Sequence, residues 1–310
     1  MTDLSWIRED DSELPEAVRE LIREAHAENT RKAYQSDLRA FRAWGGDVPT
    51  TPQELARYIA GEGQRLHPST LQRRLAALSV AHRLIGGSGH PTHHPLVKAA
   101  LQGLQRLSGV MQTQAAPLMV EDLWAILDRT RDSIRDQRDR ALLLIGFAGG
   151  FRRSELVGLD LADLEFVREG LIVTLRRSKT DQNGRGRRIG VPHARGRWCP
   201  VRELGAWAET SGIGGGALFR SLRKGGAISP DRLSGEAISA LIKRHVHGIG
   251  LDAAKFSGHS LRAGFITSAA RAGIATHLIR QQTGHASEAT MSRYIRDGSL
   301  FRGNAAGRLL

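Results

Sequence analysis

Ser257 to Ile295 reads SGHSLRAGFITSAARAGIATHLIRQQTGHASEATMSRYI, and the rest of the chain can be read outward from it. The run SLRAGFITSAARAG predicts a helix. Leu261, Phe265 and Ile266, then Ala269 and Ala270, recur at helical spacing, and Gly273 is its stop signal. His259 and Arg262, three apart, then lie near one another on one face. A Gly-His step follows at Gly284 and His285, and Tyr294 stands nine residues beyond that histidine. Two imidazoles, a guanidinium and a phenol suit an anion. Phosphate is the natural candidate, because the arginine fork matches phosphate oxygens and keeps its charge when partly desolvated.

A second stretch lies far upstream. Gly149 to Leu159 reads GGFRRSELVGL, directly after the very apolar ALLLIGFA of a helix expected over Gln137 to Ala148. Gly149-Gly150 stops that helix and puts Arg152 at the start of a short one, where an arginine and backbone N-H groups can both face a phosphate. Glu155 reads as the partner of an active-site arginine. Together the two stretches resemble the conserved boxes of the tyrosine recombinases, the family of phage integrases and Xer-type recombinases. The first box is matched by Gly150, Phe151, Arg152, Ser154, Glu155 and Leu156, the second by His259, Arg262, Gly284, His285 and Tyr294.

The resemblance extends to a β region. Leu171 to Leu175 (LIVTL) and Arg187 to Val191 (RRIGV) flank SKTDQNGRG, in which Asn183-Gly184 is a hairpin signal. Family members carry a lysine in this hairpin that reaches the scissile site, which by resemblance assigns Lys179. The expected catalytic set is Arg152, Lys179, His259, Arg262, His285 and the nucleophile Tyr294, with Glu155 orienting an arginine.

The chemistry is coherent on its own terms. A phenol, with its ordinary pKa near 10, is a poor nucleophile at neutral pH. It needs cations and hydrogen bonds that stabilise developing negative charge. Arg152 and Arg262 would hold the non-bridging oxygens of one phosphodiester, with His285 as a further donor. Lys179 would protonate the departing 5′ hydroxyl and His259 assist proton transfer. The other tyrosines, Tyr34 and Tyr58, belong to apolar helix faces in the N-terminal third.

Composition sets the outer bounds. The chain has 310 residues, enough for one large or two ordinary domains, and a formal net charge of +13, which favours a polyanionic partner. Cys199 is the single cysteine, so no intramolecular disulfide framework exists and a reducing compartment is the default. Neither a signal peptide nor an apolar run of membrane-spanning length is apparent, so a cytoplasmic, nucleoid-associated protein without membrane association is expected. Gly212 to Gly216 lacks the lysine and the strand-to-helix context of a phosphate loop. His90, His93 and His94, and His245 with His247, lack cysteine or carboxylate company at ligand spacing. No cofactor and no metal are expected.

The N-terminal third reads as four or five helices. One is expected around Glu13 to Ala25, and the next carries the stripe Tyr34, Leu38, Phe41 and Trp44, ended by Gly45-Gly46. Thr51, Pro52 and Glu54 form a capping-box start. A helix from Ser69 or Thr70 would bury Leu71, Leu75, Leu78, Leu84 and Ile85. Its other face carries Arg73, Arg74 and Arg83, and is either solvated or laid along a DNA groove. A further helix runs from Leu96 to about Leu107, with Lys98 on it. By resemblance this is a core-binding domain, giving candidate DNA contacts at Arg73, Arg74, Arg83 and Lys98.

The expected organisation is a helical core-binding domain at 1–107, a linker at 108–117, a catalytic domain at 118–295 and a tail at 296–310. The fold class is mainly α, with a mixed α+β catalytic domain and a small antiparallel sheet, forming a C-shaped clamp on DNA. The tail is either a frayed terminus or, as the family implies, a segment docking on a neighbouring protomer. The resemblance further implies a homo-tetramer on paired inverted-repeat half-sites, monomeric or weakly associated when free. It implies a 3′-phosphotyrosyl intermediate and a Holliday junction, in integration, excision or resolution. Two rivals are a type IB topoisomerase-like enzyme and a catalytically idle DNA-binding regulator.

Overall fold

The computed structural model describes residues 28–85, 90–109, 115–176, 186–285, 291–292 and 294–295. The helix expected at Glu13 to Ala25, Lys179 with the Asn183-Gly184 turn, and the 296–310 tail lie outside these residues. Two compact units divide the chain, Met1–Thr113 and Gln114–Leu310.

The first unit is helical: α1 (Glu28–Trp44), α2 (Pro52–Glu62), α3 (Pro68–Leu84) and α4 (Pro95–Ser108). Leu38 and Phe41 from α1 pack with Leu55, Tyr58 and Ile59 of α2 and Leu71, Leu75 and Leu78 of α3. The Thr51 hydroxyl caps α2 by accepting the Glu54 N-H at 3.2 Å, while the Glu54 carboxylate turns to the Thr50 hydroxyl at 2.6 Å. Helix α3 begins earlier than expected, because the His67 ring accepts the Ser69 N-H at 3.2 Å and Pro68 suits the first turn.

The α3 face differs from expectation in two places. Leu84 is 42% exposed, the buried side ending instead on Val80, Ala81 and His82. Arg74 does not look outward. Its side chain, 13% exposed, donates to the Tyr58 hydroxyl at 2.5 Å and to Glu62 at 3.2 Å, and lies 3.8 Å from Asp37. Tyr58, Glu62 and Asp37 are all buried, so withdrawing this guanidinium would remove a shared partner of all three and leave the carboxylates only Arg65 and Arg73. Arg74 is thus a structural residue. Arg73 is half exposed and paired with Asp37 at 3.1 Å, and Arg83 and Lys98 are exposed.

In the second unit the described helices are α5 (Val120–Asp128), α6 (Ile134–Ala148), α7 (Arg153–Gly158), α8 (Pro200–Ser211), α9 (Gly235–Gly248), α10 (Ser260–Arg271) and α11 (Thr276–Thr283). An antiparallel sheet runs β1 (Leu164–Val167), β2 (Gly170–Leu175) and β3 (Arg187–Pro192), with Leu175 opposite Arg187 in the register of β2 and β3. A second antiparallel pair, β4 (Arg220–Leu222) and β5 (Ile228–Arg232), escaped the sequence reading, as did β1. These strands are short, and RSL and ISPDR show no apolar alternation for a pattern argument to use.

Helix α6 is the spine of this unit. Ala141 to Ile145 are buried on every side, and each large aliphatic among them contributes roughly 1.5–3 kcal/mol relative to exposure. Asp139, fully buried on α6, binds Arg138 at 2.8 Å and His245 of α9 at 3.0 Å, and also pairs with Arg244. Burial alone would raise its pKa, but the hydrogen bond to His245 and the charges of Arg138 and Arg244 hold it below the usual carboxylate value. Cys199 is buried at the start of α8, its sulfur accepting the Ala194 N-H at 3.3 Å.

The segment entering this unit is pinned rather than loose. Ala116 donates its N-H to the Lys255 carbonyl at 2.7 Å, and Leu118 donates to the Ser260 carbonyl at 2.9 Å. Gly264 permits this approach, since a Cβ there would overlap the Leu118 carbonyl.

Candidate active site

Helix α6 ends at Gly149, and Gly150 adopts φ +57°, turning the chain sharply toward α7. A Cβ on Gly150 would come within 2.8 Å of the Thr283 methyl and 3.2 Å of Phe265, so glycine lets α10 and α11 close on this turn. Arg262 of α10 uses the space. It is 4% exposed, and its Nη1 donates to the Gly150 carbonyl at 2.6 Å, joining two boxes that lie far apart in the chain.

Arg152 is the N-cap residue of α7. Its N-H donates to one Glu155 oxygen at 2.8 Å and its Nη1 to the other at 2.6 Å. Both carboxylate oxygens are thereby engaged, and the guanidinium is held in one orientation. The same carboxylate takes up the Arg152 N-H, so that one donor is not offered to a ligand.

His285 follows Gly284, which ends α11 with φ +65°. The Thr283 hydroxyl donates to the Ile279 carbonyl at 2.7 Å and lies 2.8 Å from His285 Nδ1. With its proton committed to Ile279, the hydroxyl oxygen accepts from Nδ1-H, which assigns the neutral ring with Nε2 unprotonated. Arg262 Nη2 lies 3.1 Å from both ring nitrogens. Burial, then the positive charges of Arg262, Arg152 and Arg187, push the His285 pKa down to about 3. The imidazole is neutral at physiological pH. Its expected role as a donor therefore requires either a proton or release from Thr283.

Burial, followed by the charge of Arg152, likewise pushes the Arg262 pKa down to about 9, against the opposing pull of Glu155 and Tyr294. It is still a cation at neutral pH. Tyr294 itself is half-buried against Ile266, Ala269, Ala270, Ile279 and Met291, residues of α10, α11 and the segment after them. His259 is the exposed N-cap residue of α10, one turn before Arg262, and its N-H donates to the Ser257 hydroxyl at 3.2 Å.

Arg187 was not singled out in the sequence, yet it belongs to this cluster. It starts β3, alternates with the buried Ile189 and Val191, and so shares their inward face. That alternation was the available signal: an arginine on the apolar side of a strand. Gln282 adds a tie, its Nε2 donating to the Ala148 carbonyl at 2.9 Å and the Gly190 carbonyl at 3.1 Å. Among the described residues the cluster holds three guanidiniums, of Arg152, Arg187 and Arg262, against the one carboxylate of Glu155, an arrangement that favours an anion. No group of three or more His, Cys, Asp or Glu among the described residues has metal-binding geometry, and no described helix is long and apolar enough to cross a membrane.

The chain is similar to known proteins over most of its length. The phage integrase family matches residues 117–299. The chain is 36% identical over 297 residues to the integrase/recombinase XerD homolog of Selenomonas ruminantium, covering 93% of this chain and 87% of that one. It is 27% identical over 275 residues to the tyrosine recombinase XerC of Pelobacter propionicus, with 86% and 84% covered. A lambda integrase dimer bound to a COC′ core site matches with a TM-score of 0.65 and 20% identity, covering 97% of this chain and 96% of that one. XerH bound to a palindromic difH substrate matches with a TM-score of 0.59 and 19% identity, over 84% and 71%. At such identities the two structures speak for the fold.

Proposed function

Since the chain belongs to the phage integrase family, the tyrosine recombinases, we propose that Tyr294 cuts and rejoins DNA strands through a 3′-phosphotyrosyl intermediate. The protein is a site-specific DNA recombinase, with DNA as its partner. The observation that carries the finer reading is the Arg262 bridge, which ties the Gly150 turn to His285 beside Arg152 and Glu155.

In the proposed reaction the Tyr294 oxygen attacks the scissile phosphorus, a P-O bond to tyrosine forms, and the bond to the 5′ oxygen breaks. Arg152 and Arg262 hold the non-bridging oxygens, whose negative charge is greatest in the pentacovalent transition state. Both guanidiniums are preoriented, one by Glu155 and the other by the Gly150 carbonyl, so little reorganisation accompanies charge development. Lys179 supplies the proton to the departing 5′ hydroxyl, and His259 accepts that of the phenol. A phosphate arriving beside His285 offsets the cations that keep the ring neutral, which raises its pKa and favours a second N-H.

The phosphotyrosyl link retains the energy of the phosphodiester, so a 5′ hydroxyl from a second strand reverses the step and yields a Holliday junction. We assign the double cycle to a homo-tetramer on paired inverted-repeat half-sites, the 296–310 tail of each protomer docking on a neighbour. Units 1–107 and 118–295, joined through 108–117, would grip the duplex together, with Arg73, Arg83 and Lys98 as phosphate contacts.

The test is recovery and sequencing of DNA covalently attached to denatured protein from cells expressing the wild type or Tyr294→Phe. Adducts in the wild type alone, focused on an inverted-repeat site, are expected. Adducts persisting in Tyr294→Phe would refute the nucleophile, and scattered adducts would favour topoisomerase-like relaxation.

A further inference from the structure

Arg187 is held at one end of its guanidinium and, among the described residues, lacks a hydrogen-bond partner at the other. Nη1 donates to the Gln282 carbonyl at 3.1 Å and the Gln281 carbonyl at 3.5 Å, the last turn of α11. The guanidinium lies against the backbone of Gly284, where a Cβ would sit 2.6 Å from Cζ and 3.0 Å from Nε, and would overlap Nη1 outright. Nη2 is buried and has no hydrogen-bond partner among the described residues. A buried charged donor is costly to leave unpaired. No carboxylate of the described residues pairs with Arg187, and the nearest to the site, Glu155, has both oxygens engaged by Arg152.

We propose that Arg187 is a further binding residue for the scissile phosphate: Nη1 anchors the end of α11 while Nη2 donates to a non-bridging oxygen. The assignment rests on the phosphodiester reading above. Its place fits the role, because Arg187 borders the Gly284-His285 step on one side and begins, on the other, the strand that returns from the segment bearing Lys179. Its charge acts on both Arg262 and His285, so the three groups share one poorly solvated environment. The competing interpretation is a helix cap with no part in binding. That interpretation accounts for Nη1 and leaves Nη2 unexplained.

The experiment uses the full chain and a nicked duplex carrying the site recovered by adduct sequencing, with duplex affinity and single-turnover adduct formation measured separately. Arg187→Gln is expected to bind the duplex within about threefold of wild type and to form adduct about 100-fold more slowly, the scale of losing one transition-state donor. With a methylphosphonate at the scissile position the phosphate loses a charge and needs fewer cations. The Arg187→Gln defect should then shrink by about tenfold or more. A cap that merely supports α11 would show the same defect on both substrates, and that result overturns the proposal, as does cleavage at the wild-type rate.

Should Arg187→Gln melt well below the wild type, Arg187→Lys, which keeps the charge but not the fork, is read by the same substrate comparison. Wild-type protein that forms no adduct on any DNA removes the phosphodiester reading and this assignment with it. Wild-type adduct with an unimpaired Arg187→Gln removes this assignment alone.

Discussion

His285 is a residue whose chemistry the fold alters strongly. Its pKa in the folded chain, about 3, lies below that of an ordinary histidine, so between pH 6.5 and 3 the unfolded chain binds a proton that the folded chain refuses. The contribution is fully present above about pH 6.5 and is lost as the pH falls toward 3. His285→Asn lacks this titration, and its unfolding free energy, from urea melts across that range, should decline less steeply than that of the wild type. Equal slopes would show that the folded ring takes up its proton as the unfolded one does. The grouping of Arg152, Glu155, Arg262 and His285 was legible in the sequence because each lies in a short motif of distinctive composition. Arg187 was not, since one arginine beside another at a strand start looks solvated until the face it shares with Ile189 and Val191 is counted. Arg74 misled for the opposite reason: helical position alone does not reveal that Asp37, Glu62 and Tyr58 converge on it.

At the scale of elements, α10 is held at three points. Arg262 bonds to the Gly150 turn, Ser260 receives the Leu118 N-H, and Gly264 lies beneath the Leu118 backbone. Gly264→Ala would drive the 115–118 segment off the helix that carries Arg262. A loss of about 1–3 kcal/mol in urea unfolding is expected, accompanied by slower adduct formation. Gly103, interior to α4 with open space around its missing Cβ, provides the contrast. Gly103→Ala should stabilise by up to about 1 kcal/mol, because only helix propensity is at stake. If the two substitutions behave alike, the close approach at Leu118 is not what constrains position 264. The long helices and the β2–β3 pair were legible from periodicity. Helix α11 and strands β1, β4 and β5 were not, being short segments whose structure depends on what they pack against.

For the whole molecule, the net charge of +13 makes affinity a matter of counterion release. Noncovalent binding of the Tyr294→Phe variant to duplex DNA should weaken by roughly 10³-fold between 50 and 200 mM salt if six or more phosphates are neutralised. A flat response in a salt titration would mean that the excess of arginine serves something other than DNA. The Asp139 network shows that some of it does, since Arg138 and Arg244 are committed to one buried carboxylate.

The burial of Cys199 has a practical side. As the chain's single cysteine, enclosed at the start of α8, it gives the native protein little thiol reactivity toward a bulky maleimide. One cysteine added to an exposed position of either unit then becomes a unique attachment point. A pair, one in each unit, makes the protein a ready substrate for fluorescence or spin-label ruler measurements, in which the separation of the two units can be followed as DNA is engaged and released.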